Sequence, residues 1–402
     1  MPVRLVLVVL LPFAAGYFLS YMFRAINAVV APNLAADLHL DAGQLGLVTA
    51  AYLIAFALFQ LPLGILLDRF GPRRVQATLL LVAALGSLLF SLANSALALA
   101  AARALIGLGF AGGLMAGFKA VVLWFHPSRH ALANACIMSV GGLGMLTATL
   151  PAEFAVQTIG WRGLFAAGAG LTAAVALIIA AVVPEPGVPP LRQRLHEQLQ
   201  EIRGIYTDRY FWSLAPIVAT TAGAHVGIHT LWTGPWFRDI AGFGRDGVAW
   251  YLLIIAVAFL LGILLGGIVA DRLGRRGVDQ LHIMVGALLA FMLSQAAIIA
   301  ELTCINFIMW AVFGMTGQMS ILAYPALAKH FGTARSARAQ TAVNLVLFAA
   351  AFLAQAFIGA VLDLFPQTAN SYSAEGYRWA FGSLLVLQIA ALFWYLRERG
   401  KS

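Results

Sequence analysis

Cysteine and charge are both scarce in this chain. Cys136 and Cys304 are the only cysteines among 402 residues, too few for a disulfide framework or a thiolate metal site. Asp, Glu, Lys and Arg make up 10% of the sequence, whereas a soluble globular domain carries about 25%. No GxxxxGK[ST], HExxH or GxSxG element occurs, so ATP-driven transport and hydrolysis lack their groups and no enzyme is expected. The alternating ~10-residue strands of an outer-membrane barrel are missing too.

What is present is apolar: 62% of the residues are hydrophobic. Runs near the ~20 residues needed to cross a bilayer recur from end to end. Broken by Gly, Pro and charge, they predict twelve helices over 5–31, 43–67, 73–94, 97–125, 130–157, 162–183, 211–237, 247–271, 277–300, 303–328, 337–364 and 377–396. The fold class is therefore an all-α polytopic membrane protein. The first run exceeds the ~7–15 apolar residues of a signal peptide and contains Arg24, so it is read as a span.

Basic residues orient the spans. With both termini cytoplasmic, 18 of the 25 Lys and Arg residues fall on the cytoplasmic side, and Arg162, Arg238, Arg245 and Arg378 alone on the other. The net charge of +9 is largely this bias and calls for no nucleic-acid partner. The expected boundaries are a first half over 1–183, a linker over 184–210 and a second half over 211–402. In the linker, Leu191, Leu195, Leu199 and Ile202 recur at helical spacing among charges, as in an amphipathic helix on the membrane surface.

The halves repeat. "GILLDRFGPRR" (64–74) aligns with "GIVADRLGRR" (267–276), an offset of 203 that also pairs Pro32 with Pro235. "GWRGLF" (160–165) matches "GYRWAF" (376–381), and "FHPSRHALANA" (125–135) is similar to "FGTARSARAQTA" (331–342). Two parallel six-helix repeats place a substrate site near the midplane.

The repeated G-x-x-x-D-R-x-G-x-R-R pattern resembles the signature of the major facilitator superfamily. Arg103 with Gly107 and Gly109 in "RALIGLG" resembles its fourth-helix motif, and "GWRGLF" the usual start of its sixth helix. The resemblance implies alternating access, with Gly64, Asp68, Arg69, Gly71, Arg73 and Arg74 latching the halves in the outward-open state. Gly267, Asp271, Arg272, Gly274 and Arg276 would act likewise in the second half. Locally, Asp68 sits at a helix C-terminus, where the macrodipole disfavours a carboxylate, and the arginines can offset it. Gly64 permits close helix approach and Gly71 a tight turn.

Arg24 lies inside the first span. Tyr17, Ser20, Tyr21, Arg24 and Asn27 form one polar stripe, which faces the bundle because a lipid-facing Arg near mid-bilayer costs ~3 kcal/mol or more. Snorkelling to the interface is the alternative. Arg103 and Lys119 lie on the fourth span, and Lys119 also can snorkel. All sixteen acids fall in loops or near helix ends, so the substrate is expected to supply the counter-charge, as an anion.

"YMFRAINAVVAPNLAADLHLDAGQLGLVTAAY" also resembles the first two helices of the superfamily's organic-anion branches, the anion:cation symporters and organophosphate antiporters. That resemblance implies that Arg24 and Arg103 bind or gate the anion, with Tyr52 and Gln60 on the same space. The fourth-helix glutamate those symporters use for protons is missing. Thr221, His225, His229, Trp232 and Trp236 share one face of the seventh span, and His225 or His229 is the candidate proton carrier. The offset of 203 sets these histidines opposite Met22 and Ile26, on the apolar face of the first span. Either the register slips inside the helix, or the histidines pack against neighbours.

The expectation is thus a secondary transporter of a small anionic organic solute, coupled to H+, needing no cofactor, monomeric, in the bilayer of a bacterial inner membrane. The substrate-facing set is Arg24, Tyr17, Tyr21, Tyr52, Gln60, Arg103 and His229. A rival reading imports a soft, copper-like metal through His225-x3-His229 and Met315-x3-Met319, against the repulsion of Arg24. A non-transporting receptor is a remote third.

Overall fold

The computed structural model describes residues 3–126, 129–185, 200, 203–274, 276–366 and 371–399, and no strand occurs among them. Eleven helices among the described residues are long and apolar enough to cross a membrane. They are α1 (Val3–Ala25), α2 (Ala42–Gln60), α3 (Arg69–Leu92), α4 (Ala96–Trp124), α6 (Leu150–Val182), α7 (Arg209–Asp239), α8 (Arg245–Ala270), α9 (Gln280–Ile299), α10 (Thr303–Leu322), α11 (Arg338–Leu362) and α12 (Ala374–Arg399). Between α4 and α6 stands the shorter α5 (His130–Thr147). α6 breaks at Gly160, whose φ is +71°. Residues 150–159 therefore complete the fifth span expected over 130–157, and the sixth begins at Trp161. The all-helical, multi-pass expectation holds.

Glycine explains the sharpest turn of the repeated motif. Gly71 has φ +77° and interrupts helical backbone that otherwise runs Ala42–Leu92, a conformation costly for any residue with a Cβ. The second copy is built differently. Gly274 ends the helix Arg245–Gly274, and the positive φ falls on Gly277.

The paired prolines mark a second shared feature. α1 stops at Ala25, and helix resumes over Asn27–Leu38 with Pro32 inside it. In α7, a π-helical turn at Ile228–Trp232 precedes the helical segment Thr233–Asp239, which contains Pro235. Proline lacks the N–H and crowds the carbonyl four residues back, so irregular backbone just upstream is its ordinary consequence. The π-turn inserts an extra residue into the helical register.

The chain divides into two compact units, Met1–Leu40 with Ala51–Leu195, and Asp41–Ala50 with His196–Ser402. In the first, small residues let backbones meet: a Cβ on Gly144 would stand 2.1 Å from the Phe18 carbonyl oxygen, and one on Gly107 2.1 Å from that of Tyr52. In the second, α7 and α11 pack along their length, with Gly223 and Gly227 against Ala350, Ala351 and Ala354. The linker positions Leu191, Leu195, Leu199 and Ile202 lie outside the described residues.

Candidate functional site

In the first unit, Arg24 is 9% exposed and sits among aromatic rings. Its guanidinium carbon is 4.8 Å from the centre of the Tyr21 ring and 4.9 Å from that of Phe56. Each such contact stabilises a cation by about 0.5–2 kcal/mol, more as water is excluded. The Tyr52 hydroxyl lies beside the guanidinium and donates to the Ser20 carbonyl at 3.3 Å. Tyr17 meets Tyr21 edge to face, centroids 5.0 Å apart. The charge is held inside the unit and does not snorkel.

Arg103, 1% exposed, has a different task. Both of its terminal nitrogens donate to the Phe23 carbonyl, at 3.2 and 3.1 Å, beside the break at Ile26. Its guanidinium also lies 5.1 Å from the Tyr52 ring centre. Tyr52 therefore touches both arginines. Gln60 stands two helical turns beyond Tyr52 and donates to the Ala111 carbonyl at 3.1 Å, where α4 loosens into a turn. The structure thus brings Arg24, Tyr17, Tyr21, Tyr52 and Arg103 together, while Gln60 is held on the backbone of α4. Lys119 is half-buried in α4.

Phe56 lies one turn from Tyr52 and stacks on it, but an apolar residue on an apolar helix gives no signal of its own in the sequence. Ser20 and Phe23 act through backbone carbonyls, which side-chain reading does not reveal.

In the second unit, His225 and His229 are 1% and 5% exposed and stack at 5.6 Å. Nδ1 of His225 lies 3.2 Å from Nε2 of Gln318, and Phe259, Phe291 and Phe313 surround the ring. Both alternatives raised by the repeat offset apply: the register slips at the π-turn, and the histidines pack against neighbours. Trp232 leaves the face of the histidines and donates to the Gln355 carbonyl at 3.2 Å, whereas Trp236 packs on Trp310 at 5.2 Å, and Trp310 meets Phe313 beside His225. The metal reading gains no support from Met315 and Met319, whose backbone and sulfur respectively pack on Gly262 and Gly266. No cluster of three His, Cys, Asp or Glu residues is found among the described residues.

The motif arginines engage α6. Arg73 donates to the Ala180 carbonyl at 3.0 Å, Arg74 pairs with Glu185 at 2.6 Å, and Arg69 lies over Phe70. These groups are exposed, so each pair is worth little alone. A Cβ on Gly64 would meet nothing within 4 Å among the described residues. Arg272 and Arg276 are exposed. At Asp68, Gly267, Asp271 and Gly274 only the helical backbone falls within the described structure.

A family model described as Major Facilitator Superfamily matches residues 13–354. The chain belongs to the major facilitator superfamily. Among curated relatives, "Probable sulfoacetate transporter SauU" of Cupriavidus necator is 26% identical over 289 residues, 68% of this chain and 66% of that protein. This alignment spans just under two thirds of the relative's length. "Niacin transporter NiaP" of Acinetobacter baylyi is 27% identical over 367 residues, 78% of this chain and 80% of that protein. The crystal structure of a D-xylose-proton symporter superposes with a TM-score of 0.75 over 96% of both chains at 16% identity, a likeness of fold. Family and relatives are transporters and not enzymes, which agrees with the missing catalytic motifs.

Proposed function

We propose that this superfamily member is a secondary transporter that moves a small organic anion across a bacterial plasma membrane, with H+ as the coupling ion. The observation that carries the reading is the seat of Arg24. A guanidinium buried against Tyr21 and Phe56, with the Tyr52 hydroxyl beside it, has a planar donor fork suited to a carboxylate, sulfonate or phosphate. The substrates for which these relatives are named support this direction: sulfoacetate carries a sulfonate and a carboxylate, and niacin a carboxylate. Charge bias places both termini in the cytoplasm. The six-helix halves over 1–183 and 211–402 act as parallel repeats joined by the linker over 184–210, and the protein works as a monomer. His229 carries the proton, with His225 stacked behind it.

The test is uptake by the full-length protein in proteoliposomes of a radiolabelled panel: small carboxylates, sulfonates, phosphate esters, nitrate and a neutral sugar, each with and without a pH gradient. One organic anion should accumulate, faster with the inside alkaline, and Arg24→Ala should weaken its binding by about one to two orders of magnitude. Transport of the neutral sugar alone, or undiminished binding in Arg24→Ala, defeats the anion assignment.

A further inference from the structure

The first turn of α2 presents its amides to an acid more than three hundred residues away. The amides of Ala42 and Gly43 both donate to the Asp363 carboxylate, the first at 3.1 Å to Oδ1 and the second to Oδ2. The next amide, of Gln44, donates to Asp41 Oδ1 at 2.6 Å, and the Asp41 amide donates back to Gln44 Oε1 at 3.3 Å. This is a reciprocal capping box. The amides at 42, 43 and 44 are thereby satisfied, two of them only through Asp363.

The surroundings are shaped for that contact. A Cβ on Gly43 would stand 2.5 Å from Asp363 Oδ2, so any larger residue displaces the carboxylate. One on Gly46 would reach 3.1 Å from the Gln355 carbonyl oxygen, and one on Gly359 2.6 Å from that of Ala42. Glycine on both helices therefore permits the approach. Asp363 is itself the C-cap of the helix containing α11, where the macrodipole disfavours a carboxylate. The N-terminus of α2 reverses that preference. A carboxylate disfavoured by the dipole of its own helix and favoured by that of another makes a contact that can both hold and let go.

Residues 41–50 belong to the second unit, while α2 from Ala51 onward belongs to the first. We propose that Asp363 is a releasable latch on α2. It holds the helix's first turns on α11 in one stage of the transport cycle and frees them in another. The device lies at the end of α2 opposite the repeated glycine–arginine loop, so α2 carries a control element at each end. The link to a transport cycle, and with it the release, rests on the secondary-transporter reading above; the contact itself does not.

The experiment is amide hydrogen exchange on the full-length protein in lipid nanodiscs, comparing wild type, Asp363→Asn, Gly43→Ala and Asp41→Asn. Asp363→Asn removes the charge, and Gly43→Ala pushes the carboxylate away without altering it. Both should raise exchange at residues 41–46 by about tenfold, the loss expected for charge-assisted bonds to two amides, with α11 unchanged. Asp41→Asn should affect Gln44 more than Ala42 and Gly43. If both Asp363→Asn and Gly43→Ala exchange like wild type at 41–46, the latch is overturned. If exchange rises but no solute is ever transported, the latch stands and the transporter reading fails.

Discussion

Arg103 grips the carbonyl oxygen of Phe23 with both terminal nitrogens, at 3.2 and 3.1 Å. The pair spans α4 and α1 within the first unit and sits beside the break at Ile26. A forked guanidinium can meet one carbonyl with two donors while its face lies on the Tyr52 ring, which lysine cannot do. Arg103→Lys should therefore destabilise the protein by about 1–3 kcal/mol, as a buried charge-assisted carbonyl contact is lost. The measurement is thermal unfolding in detergent together with substrate affinity. A variant with unchanged stability and abolished binding would make Arg103 a direct ligand.

Gly107 offers a steric version of the same question. Its Cβ would stand 2.1 Å from the Tyr52 carbonyl oxygen, a backbone atom that moves only with α2. Gly107→Ala should cost about 1–3 kcal/mol through overpacking and should displace the Tyr52 hydroxyl from Arg24. Lower unfolding temperature and weaker substrate binding are expected together. A fully stable Gly107→Ala would show that α2 and α4 separate more easily than their contact implies.

These two residues show what the sequence discloses. Arg103, Gly107 and Gly109 were legible as a motif, and Arg24 as a charge in an apolar span, because hydropathy makes any exception conspicuous. What Arg103 does was not legible, since its partner is the carbonyl of Phe23, and a carbonyl leaves no mark in the sequence. The broken helices show the same division. Gly71 announces its turn, and the prolines at 32 and 235 announce irregular backbone. The form of the irregularity was not legible: upstream of Pro235 it is a π-turn at Ile228–Trp232, and Trp232 there leaves the face of the histidines for the Gln355 carbonyl. Gln318 gives no such signal, because one glutamine in an apolar helix carries no charge, yet it is a polar partner of His225.

Outside the membrane, Asp208 gives a pH-dependent prediction. It caps α7 by accepting from the Phe211 amide at 2.9 Å, and its other oxygen lies 3.1 Å from His330 Nε2. Burial pushes the carboxyl up, but the Phe211 amide and His330 outweigh it and hold it below the usual aspartate value. A depressed carboxylate contributes stability above its unfolded-state pKa and loses it as pH falls through the folded value. Asp208→Ala should thus cost about 0.5–2 kcal/mol at neutral pH, and the gap to wild type should close below about pH 4. Unfolding temperatures measured from pH 7 down to pH 3 decide it; a gap that stays constant with pH would mean that the cap acts without its charge.

The stacked histidines set a limit on coupling. Two imidazolium rings with centroids 5.6 Å apart would repel by ~3 kcal/mol at an effective dielectric near 20, so under the proposed coupling the pair would take up one proton and not two. The rings are not equivalent. His225 is fixed by Gln318 at Nδ1 and enclosed by Phe259, Phe291 and Phe313, surroundings that offer a cation little solvation beyond the ring faces. His229 is the more exposed of the two and lies in the π-turn, where irregular backbone commonly marks function. His229→Gln should therefore keep substrate exchange across the membrane and lose accumulation driven by a pH gradient. His225→Gln should keep gradient-driven accumulation at reduced stability, because its loss disturbs packing more than proton loading. The measurement is counterflow and pH-driven uptake side by side in proteoliposomes, at matched reconstitution. Full accumulation by His229→Gln would remove that residue from the proton path, and loss of accumulation by His225→Gln alone would reverse the assignment within the pair.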